Sequence, residues 1–171
     1  MSVINGRKIG FAVLISATVA LLTGSITQMK GAEMNTTEID IEALDTRGQS
    51  IIFQRVMEED MEGIAALLDA GLPVDIRGFQ QSTPTLYAAM ADIWPVVLFL
   101  LERGADPIAA NQLGMTLPWL ATTSRIAGDG PRAQALEDVR TLLAERGHLS
   151  VIYTLEDVRA RLTEGDWPPG S

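Results

Sequence analysis

The densest group of side chains that could do chemistry is the acidic run Glu58, Glu59, Asp60 and Glu62. Two carboxylates such as Glu58 and Glu62 could serve as a general acid and base, and a cluster of carboxylates could hold Ca²⁺. The run lacks the ligand spacing of an EF-hand loop, and a solvated polar face between two helices explains it better. A hydrolase that uses this acid pair is therefore the reading we favour least.

Few other residues could support catalysis. The 171-residue chain has no Cys and a single His, His148, which excludes disulfides, thiolate nucleophiles and Cys-ligated zinc. His148 follows Gly147 at a predicted helix end, where a structural role is expected. No Gly-x-Ser-x-Gly sequence occurs, and the Gly-Asp-Gly at residues 128–130 follows no predicted strand. We expect no catalytic residue, no metal and no cofactor.

The composition indicates one folded domain behind a separate leader. Apolar residues make up 47% of the chain and charged residues 20%, which excludes a fully disordered chain and a multi-spanning membrane protein. Arg7 and Lys8 precede 21 uncharged residues at positions 9–29, the pattern of an export signal. Residues 1–30 are either a signal peptide cleaved after Ser25 or an uncleaved inner-membrane anchor, because 21 helical residues reach about 30 Å. Either way, the remainder faces the periplasm or the exterior.

A 33-residue period organises the rest of the sequence. Related triplets occur at residues 48–50 (GQS), 81–83 (QST) and 114–116 (GMT), and related helix ends occur at 67–71 (LLDAG), 100–104 (LLERG) and 142–147 (LLAERG). The third helix end arrives ten residues late, so we predict an insertion loop at about 124–133. Repeats of this length usually stack side by side to bury a shared core.

The middle copy resembles the ankyrin repeat. Residues 83–89 (TPTLYAA) are similar to the family's TPLHxAA, and residues 96–107 (VVLFLLERGADP) are similar to its VVKLLLxxGADVN. Local chemistry agrees, because Thr83 is a preferred N-cap, and Pro84 is tolerated at the first helical position. Val97, Leu100 and Leu101 form a buried stripe at helical spacing, and Gly104 suits the left-handed helix end. The resemblance covers about residues 45–147.

These patterns predict an all-α ankyrin-repeat solenoid with a capping helix at each end. The repeats span about 45–77, 78–110 and 111–149, within a domain at 31–165, and the first repeat places helices near 51–57 and 61–69. The N-terminal capping helix is expected at 36–44, with Ile39 and Leu44 facing inward. The C-terminal one is expected at 154–163, with a capping box at Thr154, followed by a tail at 166–171. Whether Trp167 packs back on the last helix stays open.

The resemblance implies a protein-binding surface made of the turn tips and the exposed ends of the first helices. Five of these positions carry large apolar side chains, which often mark interaction sites. The alternative is that the leader or the insertion covers some of them. The expected partner-binding residues are Met57, Glu58, Arg77, Phe79, Gln80, Met90, Gln112, Leu113, Met115, Thr123 and Arg125.

The net charge limits the classes of partner that the chain is expected to bind. Arg7, Lys8 and Lys30 precede the first acid, so that 10 arginines then face 22 acidic residues, and the net charge is −12. That charge excludes nucleic acid and favours a basic protein. The resemblance implies an immunity or inhibitor protein that neutralises an envelope-acting toxin or secreted lipase, since short exported ankyrin proteins occur beside such effectors. An accessory factor for another envelope enzyme, for example in oxidative-stress defence, is the alternative.

Overall fold

The regular structure of the chain is helical throughout the part that the computed structural model describes, residues 39–169, which lie in the compact unit Thr37–Ser171. Besides the helices, these residues form two isolated bridges, Leu44 with Ser50 and Ala110 with Thr116. The helices are α1 (Ile52–Met57), α2 (Met61–Asp69), α3 (Pro84–Met90), α4 (Trp94–Glu102), α5 (Leu117–Thr123), α6 (Pro131–Glu145) and α7 (Leu155–Glu164). The predicted all-α class is confirmed. Of the helices described, none is long and apolar enough to cross a membrane. The leader at residues 1–30 lies outside the described residues.

Six of the helices form three successive pairs. Within each pair the two helices pack on each other, α1 and α3 each pack on the first helix of the next pair, and α4 packs on α6. The core between them includes Phe53, Trp94 and Leu136. The predicted stripe Val97, Leu100 and Leu101 is buried at the centre of this core, as expected. Burial of each such aliphatic side chain contributes about 1.5–3 kcal/mol.

The helix boundaries follow from local capping. The Thr83 hydroxyl accepts the N–H of Leu86 at 3.2 Å, and the Thr116 hydroxyl accepts that of Trp119 at 3.4 Å. Each hydroxyl satisfies a backbone donor that the first helical turn leaves free. Beyond the C-terminal end of α4, Gly104 has φ +89° and its N–H donates to the Leu101 carbonyl. The predicted caps and the predicted helices of the first pair agree with the structure.

Three tight turns precede the helix pairs, and we name them the first (45–49), second (78–82) and third (111–115) turns. In each, the first residue donates its N–H to the carbonyl of the fifth and accepts the N–H of the fourth, at 2.7–3.1 Å. The fourth residue has positive φ in all three: Gly48, Gln81 and Gly114. The turns begin 33 residues apart, so one backbone arrangement recurs at the period of the sequence.

The predicted insertion loop at 124–133 is too long. α6 begins at Pro131, because proline is well tolerated in the first turn of a helix. Compared with α2 and α4, which have nine residues each, α6 has 15. The extra residues therefore divide between the loop at 124–130 and a longer helix.

The predicted N-terminal capping helix is wrong for the described residues 39–44. The Asp40 carboxylate accepts the N–H of Glu42 at 2.9 Å, and the backbone then enters the bridge between Leu44 and Ser50. An aspartate that bonds the backbone two residues onward favours a turn over a helix. Ile39 and Leu44, expected to face inward, are exposed, and Ile41 packs on the core instead.

The C-terminal helix was predicted correctly. α7 begins with a capping box between Thr154 and Asp157, and the left-handed Gly165 caps its C-terminal end. Trp167, whose position the sequence left open, packs edge-on against Tyr153 at 5.5 Å between ring centroids. Its indole N–H donates to the carbonyl of Ile108 at 3.0 Å. Trp167 therefore contacts the segment that joins α4 to α5.

Candidate protein-binding surface

The predicted contact residues fall into two groups. One group lies where the first helices of the pairs end: Met57, Glu58, Met90, Thr123 and Arg125. The other lies at the second and third turns or beside them: Arg77, Phe79, Gln80, Gln112, Leu113 and Met115.

The helix-end group lies on neighbouring elements. α1 packs on α3 and α3 packs on α5, and Met57, Met90 and Thr123 are the last residues of these three helices. The Met57 and Met90 side chains are 48% and 37% exposed, and Thr123 is exposed. Exposed large apolar side chains at equivalent helix ends are a basis for protein contact.

Three of the predicted residues line one open pocket of about 250 Å³: Met90, Thr123 and Arg125. Asp92 forms part of the same pocket and is held in place, because its carboxylate accepts the Trp94 indole N–H at 3.0 Å and the Ser124 hydroxyl at 2.8 Å. The pocket therefore combines an apolar side chain, a hydroxyl and charges of both signs. Such a mixture suits contact with a protein side chain.

Three of the four acids in the run at 58–62 are bonded to other groups. Glu58 accepts from the Gln54 amide at 2.8 Å and from Arg55 at 3.2 Å, and Glu59 pairs with Arg132. Asp60 accepts the N–H of Gly63 and caps α2. Between residues 39 and 169, no three His, Asp or Glu side chains are grouped so that they could hold a metal ion.

Two hydrogen bonds donated by backbone N–H groups connect the three turns. The N–H of Phe79 donates to the Gln49 side chain at 2.7 Å, which joins the first turn to the second. The N–H of Gln112 donates to the carbonyl of Gln80 at 2.9 Å, which joins the second turn to the third. The Phe79 side chain remains 69% exposed at the tip of this array, so it is presented on a backbone that is held on both sides.

Arg77 has a structural role that the sequence did not predict. Its Nη1 donates to the carbonyls of Gln81 and Ala110, both at 2.8 Å. One nitrogen of the guanidinium therefore bridges the second turn and the residue before the third, and within residues 39–169 the other nitrogens make no hydrogen bond.

Leu113 and Met115 are less exposed than expected, and α7 packs against the third turn that carries them. Arg159 donates to the Leu113 carbonyl at 3.3 Å. A Cβ atom on Gly114 would lie 2.2 Å from the carbonyl oxygen of Leu155, so the backbones touch there. Both apolar side chains are half-buried. It is the C-terminal helix, not the insertion, that contacts this turn.

Arg47 and Tyr87 lie beside the turn group, although neither is among the predicted contact residues. Arg47 donates to the Tyr87 hydroxyl at 3.0 Å and stacks over its ring, and this hydrogen bond raises the pKa of Arg47. Asp45 pairs with Arg47 at 3.2 Å, and the backbone N–H of Gln49 lowers the pKa of the Asp45 carboxyl. An Arg in the first turn and a Tyr at the variable position of residues 83–89 were the available signals.

Comparison with known sequences does not assign the chain to a family. No family model matches the chain, and no curated protein matches it in sequence.

Proposed function

We propose that the chain is an exported ankyrin-repeat protein. The support is the coincidence of the 33-residue sequence period with three turns of one hydrogen-bond pattern, each followed by a helix pair. Thr83 and Thr116 cap the first helices of two pairs at equivalent positions. Since each pair alone could not bury its apolar face, stacking of the pairs supplies the core.

The proposed activity is binding of another protein, as an immunity or inhibitor protein that covers the working surface of an envelope-acting toxin or secreted lipase. The observation that carries it is the exposure of Met57, Phe79 and Met90 on adjoining elements. Exposed apolar anchors surrounded by polar groups are the usual composition of an interface centre.

The charge supports a basic partner. With 22 acids against 10 arginines after Lys30, a positively charged protein would be drawn to this surface and oriented by it. The leader, if it exports the chain, would bring both proteins into the same compartment. Catalysis by the chain itself is not proposed, because Glu58 of the acid pair is bonded to Gln54 and Arg55.

The test is co-expression of the full-length chain, with its own leader, beside each exported toxin or lipase encoded next to its gene. We expect protection of the cells, and recovery of a one-to-one complex with the effector. A Phe79→Ala/Met90→Ala double variant should lose protection. Val151→Ala should keep it, because Val151 is a similarly exposed apolar residue that follows α6 and is not one of the predicted contact residues.

Two outcomes would count against this proposal. Equal protection by the double variant and the wild type would mean that the apolar surface is not the interface. Recovery of a resident envelope enzyme whose activity depends on this chain, without protection against any effector, would replace inhibition by the accessory-factor function.

A further inference from the structure

A second feature of the surface is a pocket of about 520 Å³ between the third turn and α7. Arg77 enters it from the segment before the second turn, and Arg159 enters it from α7. The remaining polar lining includes Gln81, Gln112 and Thr163, which carry amides and a hydroxyl. We call this the two-arginine pocket. None of the described residues that line it is an Asp or a Glu.

The two arginines stand out because most arginines of this acidic chain are paired. Six of the ten between residues 39 and 169 have a carboxylate within 4.0 Å: Arg47, Arg55, Arg103, Arg132, Arg140 and Arg161. Within the same residues, Arg77 and Arg159 have none. Neither arginine therefore forms an ion pair within these residues, although Asp75 lies near enough to interact electrostatically with Arg77, and no acid of this part of the chain lines the pocket itself.

Both guanidinium groups are held in position by backbone carbonyls. Arg77 uses Nη1 for the carbonyls of Gln81 and Ala110, and Arg159 uses Nη1 for that of Leu113. In the described part of the chain, neither Nε nor Nη2 of these two residues makes a hydrogen bond. A guanidinium has five N–H donors and no acceptor, so each arginine keeps a fixed face of free donors. Side chains that are already held lose less entropy when they bind.

We propose that the two-arginine pocket binds a carboxylate carried by a segment of the protein partner, an Asp or Glu side chain or a chain terminus. The inference rests on the proposed function. A planar carboxylate matches the forked donors of arginine. A partner segment is favoured over a free anion because the pocket is open and two of its lining residues, Arg77 and Gln112, belong to the predicted contact surface. The acidic surface elsewhere would repel an acidic segment, so this pocket would fix the orientation of a partner that is otherwise basic.

The first experiment is an NMR titration of the full-length chain, purified in a nonionic detergent, that follows the arginine Nε–Hε signals. The probe is acetyl-tetraglutamate amide, with acetyl-tetraglutamine amide as the uncharged match and inorganic phosphate as the free anion. We expect the Arg77 and Arg159 signals to move with the glutamate peptide and to saturate in the millimolar range or below. Added salt should weaken the binding, because the contact is between exposed charges.

Variants separate recognition from folding. Arg77 is left unchanged because its bonds join two turns. Arg159→Gln removes one charge, and Gln112→Glu adds a carboxylate to the pocket while both arginines remain. Each should weaken binding of the glutamate peptide by about tenfold or more, in line with the value of a charge-assisted hydrogen bond. Arg146→Gln, which removes an arginine without an ion pair in residues 39–169 but outside this pocket, should change nothing.

Three results would overturn the inference: no shift with the glutamate peptide, an equal shift with the glutamine peptide, or an equal loss with Arg146→Gln. A response to phosphate alone would mean that the pocket takes a free anion and not a partner segment. The proposed function fails separately. An effector that binds Gln112→Glu as tightly as wild type would refute the pocket and leave the apolar interface standing.

Discussion

Asp45 and Asn111, 66 residues apart, make the same pair of hydrogen bonds at the start of two different turns. The Oδ1 atom of each accepts the backbone N–H groups of the second and fourth residues that follow, at 2.8 and 2.9 Å for Asp45 and at 3.0 Å twice for Asn111. One turn is thus held by a carboxylate and the other by an amide. Only the first of them can respond to pH.

This difference predicts the acid sensitivity of the first turn. The pKa of Asp45 lies below its ordinary value of 3.8, first because of the N–H of Gln49 and then because of Arg47. A carboxyl with a lowered pKa in the folded state adds stability above about pH 4, and this is lost as the pH falls through the folded pKa. Asp45→Asn, which keeps the acceptor, should therefore lose less unfolding free energy than wild type between pH 5 and pH 2.5.

Urea denaturation of both proteins across that pH range measures the effect. Asp45→Ala is the control for loss of the acceptor and should be less stable than Asp45→Asn at every pH. Parallel pH curves for wild type and Asp45→Asn would contradict the assignment.

Gly48 and Gly114 form a matched pair for the packing of α7. They have φ +76° and +80° at the same position of the first and third turns. A Cβ on Gly48 would meet no atom within 4 Å, whereas one on Gly114 would lie 2.2 Å from the Leu155 carbonyl. Gly48→Ala should cost about 1–2 kcal/mol for its backbone conformation alone.

Gly114→Ala should cost more than Gly48→Ala, because it must also push α7 away from the third turn. Hydrogen exchange of the α7 amides should then accelerate in Gly114→Ala and stay unchanged in Gly48→Ala. Equal unfolding free energies for the two variants would mean that α7 does not depend on this contact.

Leu100 and Phe79 should separate stability from recognition. Leu100→Ala should cost about 2–5 kcal/mol, since Leu100 is fully buried in α4 and the truncation leaves a cavity. Phe79→Ala should leave the melting temperature nearly unchanged, because the ring is mostly exposed, and should weaken partner binding. Thermal unfolding and a binding titration on the same samples decide this. The reverse pattern would contradict the proposed alignment of the 33-residue repeats.

Trp167 should hold the C-terminal tail through one hydrogen bond. Trp167→Phe keeps an aromatic ring near Tyr153 but removes the donor to the Ile108 carbonyl, which should cost about 0.5–1.5 kcal/mol. Trp119→Phe is the control, because the Trp119 indole makes no hydrogen bond within residues 39–169. Denaturant titration should show a loss for the first variant only, and an equal loss for both would assign the effect to ring size.

The features that the sequence predicted correctly are those that depend on a few neighbouring residues. Thr83, Thr154 and Gly104 act within one helical turn of their own position, so residue type and spacing are enough to place the helix ends. The stripe Val97, Leu100 and Leu101 repeats at the helical period, which fixes the buried face before any partner helix is known. The sequence could also place Phe79 at an exposed tip, because a turn leaves its tip in solvent.

The N-terminal segment, the third turn and the two-arginine pocket depended on contacts between distant residues. Leu44 is drawn into a bridge with Ser50, and no helical pattern in 36–44 reveals that competition. The third turn is contacted by α7, more than forty residues later, where Arg159 bonds the Leu113 carbonyl. Arg77 and Arg159 lie far apart in the chain, and only stacking brings their charges to one pocket. Local patterns encode local hydrogen bonds and burial, whereas proximity between distant segments is decided by packing of the whole array.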